Sequence, residues 1–463
     1  MRRLASSLIG VATVVIAGCS LAPGYQRPEA PVAAAWPEDG APGARAAAGL
    51  DWRSYFADEQ LQALIAAALE HNRDLRIAVA RVAEARALHG ITRADRLPSV
   101  DVVGGYSTVG TPASASSTGR ATIARRYDVN LGITAFELDF WGRVASLTEA
   151  AKASYLASEE AQRAFRLSLI ADVASAYFAV LELQERTAIA RKTLAGREES
   201  RTLIAKRREV GIAGDLDYLA ADGATEAARA ELANLERQRA AAANALVLLV
   251  GRADTGVRES RRKLSEQIMV ADLAAGLPSE VLLRRPDVLA AERRLIAANA
   301  NIGAARAAFL PRITLTAIFG TASRALSGLF ADDSDAWTFQ PTLRQPLFDT
   351  GRASSNLDLA EARKVIAVAE YERTIQQAFR EVADLLAARD KLAAQLKAQE
   401  AAAKSQAERL RIVDARYRAG ISSYLEVLDA QRDLFAAQQS AVATRRALLA
   451  AAAQLYKALG GEG

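Results

Sequence analysis

The side chains with the greatest capacity for covalent or metal chemistry are scarce in this chain. Cys19 is the only cysteine, and His71 and His89 are the only histidines. A disulfide framework, a zinc site of paired cysteines and histidines, or a His-rich cluster needs more ligands than these three supply, so neither a metal nor another cofactor is expected. No nucleophile–base pair and no Gly-rich phosphate loop stands out, which argues against an enzyme. The 59 basic and 54 acidic residues are interleaved and leave a net charge of only +5. Such interleaving describes solvated helix faces, not the concentrated basic face that nucleic acid requires. Function is left to shape, surface and carboxylates.

The lone cysteine has an explanation in its neighbours. Arg2 and Arg3 precede an apolar stretch from Leu8 to Ile16, the pattern of an export signal over residues 1–18. The run Ile16-Ala17-Gly18-Cys19 resembles a bacterial lipobox, which implies cleavage before Cys19 and acylation of that residue. Ser20 follows it, and in such lipoproteins a residue other than Asp there implies sorting to the outer membrane. Pro23, Pro28, Pro31, Pro37 and Pro42 make the next stretch read as an extended tether, assigned to 19–56.

Two copies of one unit organise the rest. Leu97-Pro98 recurs as Leu310-Pro311, displaced by 213 residues; Gly142-Arg143, Arg207 and Gly211-Ile212 recur as Gly351-Arg352, Arg416 and Gly420-Ile421, displaced by 209. The copies are placed at 57–251 and 278–460, with a connector at 252–277, and the change of offset is expected from a small loop-length difference. In each copy a helix (73–96 in the first, 286–309 in the second) gives way to period-two alternation. Strands are expected at about 99–108 and 126–138, then at about 312–320 and 336–347. Tyr127, Val129, Leu131 and Ile133 alternate with Asp128, Asn130, Gly132 and Thr134; Trp337, Phe339, Pro341 and Leu343 alternate with Thr338, Gln340, Thr342 and Arg344. Long Pro-free helices follow at about 141–210 and 349–418, each on the order of 100 Å. Gly-containing turns end them, with new N-caps expected at Asp215 and Ser422, and return helices run to about 250 and 458. Short helices stacked end to end would lie beside each long one.

No segment after the export signal has eighteen consecutive apolar residues, so membrane entry would be by strands. Four half-apolar strands cannot close a barrel, and open edges are not tolerated in lipid, so several chains must contribute to one barrel. A small sheet in a wholly periplasmic helical protein is the competing possibility.

Three motifs then point one way. Cys19-Ser20-Leu21-Ala22-Pro23-Gly24-Tyr25-Gln26-Arg27-Pro28, the segment from Gly276-Leu277-Pro278 to Arg285-Pro286-Asp287, and Tyr417-Arg418-Ala419-Gly420 with Leu425 and Leu428-Asp429-Ala430-Gln431 resemble the outer-membrane factor (TolC-like) efflux family, lipoprotein branch. The resemblance implies a mainly α fold with transmembrane β. Four strands per chain would contribute to a twelve-stranded trimeric outer-membrane β-barrel, continued by a long α-helical periplasmic tunnel with an equatorial connector at 252–277. It implies a homotrimer partnered by a periplasmic adaptor protein and an inner-membrane transporter, of the RND type, in outer-membrane lipid. Tyr417, Leu425 and Asp429 fall on the positions of the periplasmic gate, where threefold symmetry would make a ring of three carboxylates. Ala220 stands in the first copy where Asp429 stands in the second, so such a ring comes from one repeat only. The hairpin tips, Gly211, Gly214, Gly420 and Ser422 with Arg207 and Arg416 (and Arg208 and Arg418 beside them), are the expected adaptor-docking sites. The implied function is a passive efflux duct for small toxic compounds. Alternatives are a type I secretion or heavy-metal export duct of the same fold, or a lipid-anchored coiled-coil scaffold without a pore.

Overall fold

The repeat governs the architecture to the residue. The computed structural model describes residues 20–37, 45–46, 50–253, 262–267, 273–274 and 282–461. Cys19, the export signal and most of the connector lie outside the described residues. In the first copy, helices α1 (Trp52–Tyr55), α2 (Glu59–His71) and α3 (Arg73–Ala94) lead to strands β2 (Asp101–Thr111) and β3 (Thr122–Glu137). A 67-residue helix α4 (Arg143–Glu209) and a return helix α5 (Asp215–Val250) follow. The second copy runs α6 (Pro286–Ala307), β5 (Arg312–Ser323), β6 (Asp335–Arg344), α7 (Arg352–Arg418, again 67 residues) and α8 (Tyr424–Ala458). Two-residue strands β1 (Arg45–Ala46) and β4 (Leu273–Ala274) pair in parallel.

Both ends of α3 and α6 are related by the same 213-residue displacement, and both ends of α4 and α7 by 209. The change of offset falls between the end of α3 and the start of α4. Most of it comes from β3, with 16 residues against 10 in β6, a difference of six of which the other strand and the connecting segments together restore two, and not from loop length as the sequence suggests. The strands also differ from expectation: β2 and β3 together reach farther into the polar loop, because they pair continuously from Asp101–Gly132 to Thr111–Thr122.

The chain divides into two compact units. One takes in residues up to Pro28, Arg81–Ser158 and Ala290–Tyr371; the other takes in Glu29–Ala80, Glu159–Leu289 and Glu372–Gly463.

The first unit holds an antiparallel sheet of order β2-β3-β5-β6. Register decides which side chains share a face. Val102, Leu131, Phe319 and Trp337 form one cross-strand row, and Ile133, Ala317 and Phe339 lie in the next row of the same face. On the other face Asp101, Gly132, Ile318 and Thr338 are aligned, with Asn130 and Asp128 beside Gly320 and Ala322. A bulge between Ile133 and Phe136 puts Ala135 at φ 52°, and its amide donates to Thr316 Oγ1 at 3.1 Å. At the end of the sheet nearest the helices, Glu137 accepts from Arg143 Nε and Nη2 (2.8 and 2.7 Å) and pairs with Arg312 at 2.6 Å.

Residues 20–28 form neither helix nor strand and are pinned to α6. Glu292 accepts from Tyr25 (2.9 Å) and from Arg27 Nε and Nη2 (2.7 and 3.0 Å). Asn299 donates to the Pro23 carbonyl at 2.7 Å, and a Cβ on Gly303 would lie 2.7 Å from the Ala22 nitrogen. Tyr25 and Arg27 thus act as intramolecular ligands of one carboxylate.

The second unit has a core that corrects the assignment of 19–56 as tether. Trp52, Tyr55 and Phe56 are buried; Tyr55 stacks on Tyr456 at 4.9 Å and donates to the Ala452 carbonyl, while Tyr456 donates to the Leu50 carbonyl. Three aromatics within five residues bury too much apolar surface to remain a linker. Helix α2 buries Leu61, Leu64, Ile65 and Ala68, and its N-cap Asp58 also accepts from Tyr177 at 3.0 Å. At its end Asn72 donates to the Leu249 carbonyl, and Gly251 sits at φ 75° where a Cβ would meet the His71 carbonyl at 2.4 Å. Helix α5 therefore ends against the α2–α3 junction, the end-to-end stacking that helix lengths predict. The Arg285-Pro286-Asp287 motif is a buried clamp: Arg285 binds Asp287 (2.8 Å), Glu381 (2.7 Å) and the Ala458 carbonyl (2.9 Å). Burial pushes the carboxyls of Asp287 and Glu381 up, but the Arg285 guanidinium, joined at Glu381 by the Lys457 ammonium at 2.9 Å, outweighs it and holds both below the usual range.

Candidate functional site

The hairpin tips carry every candidate gate and docking residue in the described chain, and they lie within the second unit. Each long helix ends in an exposed glycine with positive φ, Gly211 at 76° and Gly420 at 77°, whose conformation a side chain would strain. The N-caps stand one residue from the expected places. Gly214, not Asp215, precedes α5 and makes no side-chain cap. Ser423, not Ser422, caps α8: its hydroxyl accepts from the Glu426 amide, and the Glu426 carboxylate accepts from the Ser423 amide at 3.1 Å. This reciprocal box is satisfied only from Ser423, because the partner glutamate must stand three residues on. Those hydrogen bonds hold the Glu426 carboxyl below its usual range.

Between the hairpins, Ile204, Ala221, Tyr424 and Val427 form a small core flanked by Tyr218, Val413, Tyr417 and Leu428. Tyr417 is part-buried, 5.6 Å from the Tyr424 ring, with the Arg207 guanidinium 4.9 Å above its face. Arg208 lies 4.7 Å over Tyr218 and 3.0 Å from Asp215. Arg207 is thereby partly used in joining the two hairpins, while Arg416 remains exposed. Leu425 is 64% exposed and Asp429 is part-buried one turn along. Val210, Ile212, Leu216 and Ile421 are exposed beside them. The structure thus places Tyr417, Leu425 and Asp429 at the second tip with Gly420 and Ser422, and Gly211 and Gly214 at the first.

Two residues were missed by sequence reasoning. Arg432 lies 3.2 Å from Asp429 and 3.3 Å from Asp433, and Asp433 also receives Arg409 at 2.7 Å. The Asp429 charge is partly offset within its own chain, which tempers the expected acidic ring; the i,i+3 spacing of Asp429 and Arg432 was the available signal. Tyr424 is 3% exposed, its hydroxyl has no hydrogen-bond partner, and burial pushes its pKa up to about 12. It forms the floor of a cleft of about 320 Å³ that Tyr417, Arg418 and Gln431 also line. Its counterpart in the first copy is Asp215, and only tertiary packing shows that Tyr424 is buried between the hairpins.

The sheet, in the first unit, carries a separate functional surface. Its face bearing Val102, Tyr106, Leu131, Phe319, Trp337, Phe339 and Leu343 is apolar and exposed, a surface that water disfavours and hydrocarbon accepts. A strand-borne lipid face joined directly to 67-residue helices defines a channel protein of the outer membrane with a helical periplasmic extension.

The chain belongs to the outer membrane efflux protein family, whose profile matches residues 64–252 and 277–461. It is 47% identical over 461 residues to the outer membrane protein OprJ of Pseudomonas aeruginosa, covering 98% of this chain and 95% of that one. It is 44% identical over 460 residues to the toluene efflux pump outer membrane protein TtgC of Pseudomonas putida, covering 98% and 94%. The solved open state of the MtrE outer membrane channel of Neisseria gonorrhoeae superposes with a TM-score of 0.87 at 38% identity, covering 96% of this chain and 98% of that one.

Proposed function

We propose that three copies of this chain form the outer-membrane duct of a tripartite pump that expels small toxic compounds. The observation that carries this reading is a sheet with one mostly apolar, exposed face and two unpaired edges, in a chain that ends its long helices in exposed apolar tips. An inner-membrane transporter of the RND type supplies the energy, and a periplasmic adaptor seats on Gly211, Gly214, Gly420 and Ser422, with Arg416 and Arg207 at the rim. The toluene named for TtgC suggests that apolar solvents and drugs are the cargo class. No covalent step is needed, since the duct has only to offer a polar lumen and a closable end.

The gate is assigned to the second hairpin. Leu425 projects an exposed apolar side chain, and Asp429 stands four residues on, on the same helical face. Threefold symmetry turns them into an apolar constriction and a ring of ion-paired carboxylates. Cys19 carries the acyl anchor, next to a segment already pinned on Glu292. Single-channel recording in planar bilayers tests the reading. The wild type should show small closed-state conductance, and Leu425→Ala with Asp429→Ala should raise it severalfold. A protein without conductance would be a scaffold, and an unchanged closed state would remove these two residues from the gate. Loss of the lipid label in Cys19→Ser checks the anchor.

A further inference from the structure

The two strands at the edges of the sheet fit each other. β2 and β6 each leave one side of their backbone unpaired, and both are exposed almost throughout, unlike β3 and β5 between them. Unpaired edges cannot stand in lipid. β6 also carries an unexplained feature at its last residue: Arg344 is directly opposite Arg312, a like-charge cross-strand pair that is unfavourable by itself. Arg312 is neutralised by Glu137, whereas Arg344 has no ion-pair partner among the described residues. At the first residue of β2, Asp101 likewise has none.

Within the sheet, Asp101 aligns with Gly132, Ile318 and Thr338. If the next strand is β2 of a second copy, three constraints limit its register. The shift per chain must be even, or the apolar face would turn inward. The partner of Thr338 must fall inside β2. The shift, taken three times, must give a barrel whose strands tilt by about 35–45°. A shift of about four residues per chain gives roughly 35° and one of about six gives roughly 45°, for twelve strands at the usual spacings. The larger shift pairs Asp101 with Arg344 and Gly110 with Asp335, so that every residue of β6 has a partner. The smaller one sets Asp101 against Thr342 and leaves Arg344 unmatched. With the larger shift the apolar face continues unbroken, Val102 beside Leu343 and Tyr106 beside Phe339.

We infer that β2 of each chain pairs with β6 of a second copy in the register that joins Asp101 to the neighbouring copy's Arg344, this ion pair locking the shear of the closed barrel. The inference rests on the trimeric reading above and adds the residue-level register to it. The lock sits on the face opposite the lipid-facing residues, at the end of the sheet where strands meet helices.

Cysteine cross-linking in the full-length protein in outer membranes tests it. Val103→Cys with Thr342→Cys places two thiols opposite each other in the inferred register, and oxidation should give covalent trimers on a denaturing, non-reducing gel. Val103→Cys with Gln340→Cys, which reports the smaller shift, should stay mostly monomeric. In parallel, Asp101→Arg or Arg344→Asp alone should lower the heat-resistant trimer fraction about tenfold, and the double reversal should restore it to within about twofold. Trimers cross-linked through Gln340, in a protein that still conducts, overturn the register and leave the channel reading standing. Absence of rescue by the double reversal overturns the ion-pair lock. Loss of cross-linking from both pairs in a non-conducting wild-type background overturns both readings.

Discussion

The two hairpin tips descend from one repeated pattern and are built differently. In the first, Gly214 precedes α5 without a side-chain cap, Asp215 is drawn to Arg208, and Leu216 is left 81% exposed. In the second, Ser423 and Glu426 close a capping box and Tyr424, the counterpart of Asp215, is buried between the hairpins. The first turn is held by exposed charge; the second adds Tyr424 to the core the hairpins share and has a satisfied helix start. The two tips differ in their caps and buried residues, although both keep the same glycine turn and the same exposed leucine, Leu216 and Leu425.

Replacing the anchor of that difference should have the largest effect. Tyr424→Ala removes a buried ring and should destabilise local closure of the second tip by about 3 kcal/mol. Asp215→Ala, which removes an exposed partner of Arg208, should change the first tip by less than about 1 kcal/mol. Hydrogen exchange of amides flanking the two turns measures both, and equal effects would erase the contrast. Gly420→Ala and Gly211→Ala test what the tips share. Each forces a side chain into the left-handed region and should cost about 1–2 kcal/mol alike, since open space surrounds both positions. A smaller asymmetry is expected from the caps: Ser423→Ala should cost about 1 kcal/mol at the second tip, and Gly214→Ala a few tenths at the first.

The smallest effect is pH dependence. Glu426 is held below its ordinary pKa by its hydrogen bonds to Ser423, so its contribution is complete above the unfolded value of about 4.3. It fades as pH falls through the lower folded value. Amides 424–427 should therefore exchange relatively faster below about pH 4, once intrinsic rates are corrected, while those after Gly214 should show no such step. Glu426→Gln should abolish it.

Much of this was legible in the residues. The 213 and 209 displacements located helix pairs whose ends obey them, and the strand alternation separated an apolar from a polar face before register was known. The gate candidates Leu425 and Asp429 were legible through helical spacing and family likeness. The capping serine was misplaced by one because Ser422 and Ser423 are adjacent and only the distance to Glu426 separates them. Tyr424, Arg432 and the Glu292 clamp escaped for another reason: each depends on residues distant in sequence, or on which of two equivalent charges finds a partner.

The sequence by itself determined the elements, their order and their duplication, because helical and strand periodicities, glycine turns and proline-free runs are properties of neighbouring residues. Tertiary structure alone decided that Tyr25 and Arg27 converge on Glu292, that Arg285 gathers Asp287, Glu381 and the end of α8, and that Asp101 and Arg344 end on edge strands without ion-pair partners among the described residues. Those outcomes follow from chain segments meeting across hundreds of residues, where burial and charge pairing select among many local possibilities that the pattern leaves equal.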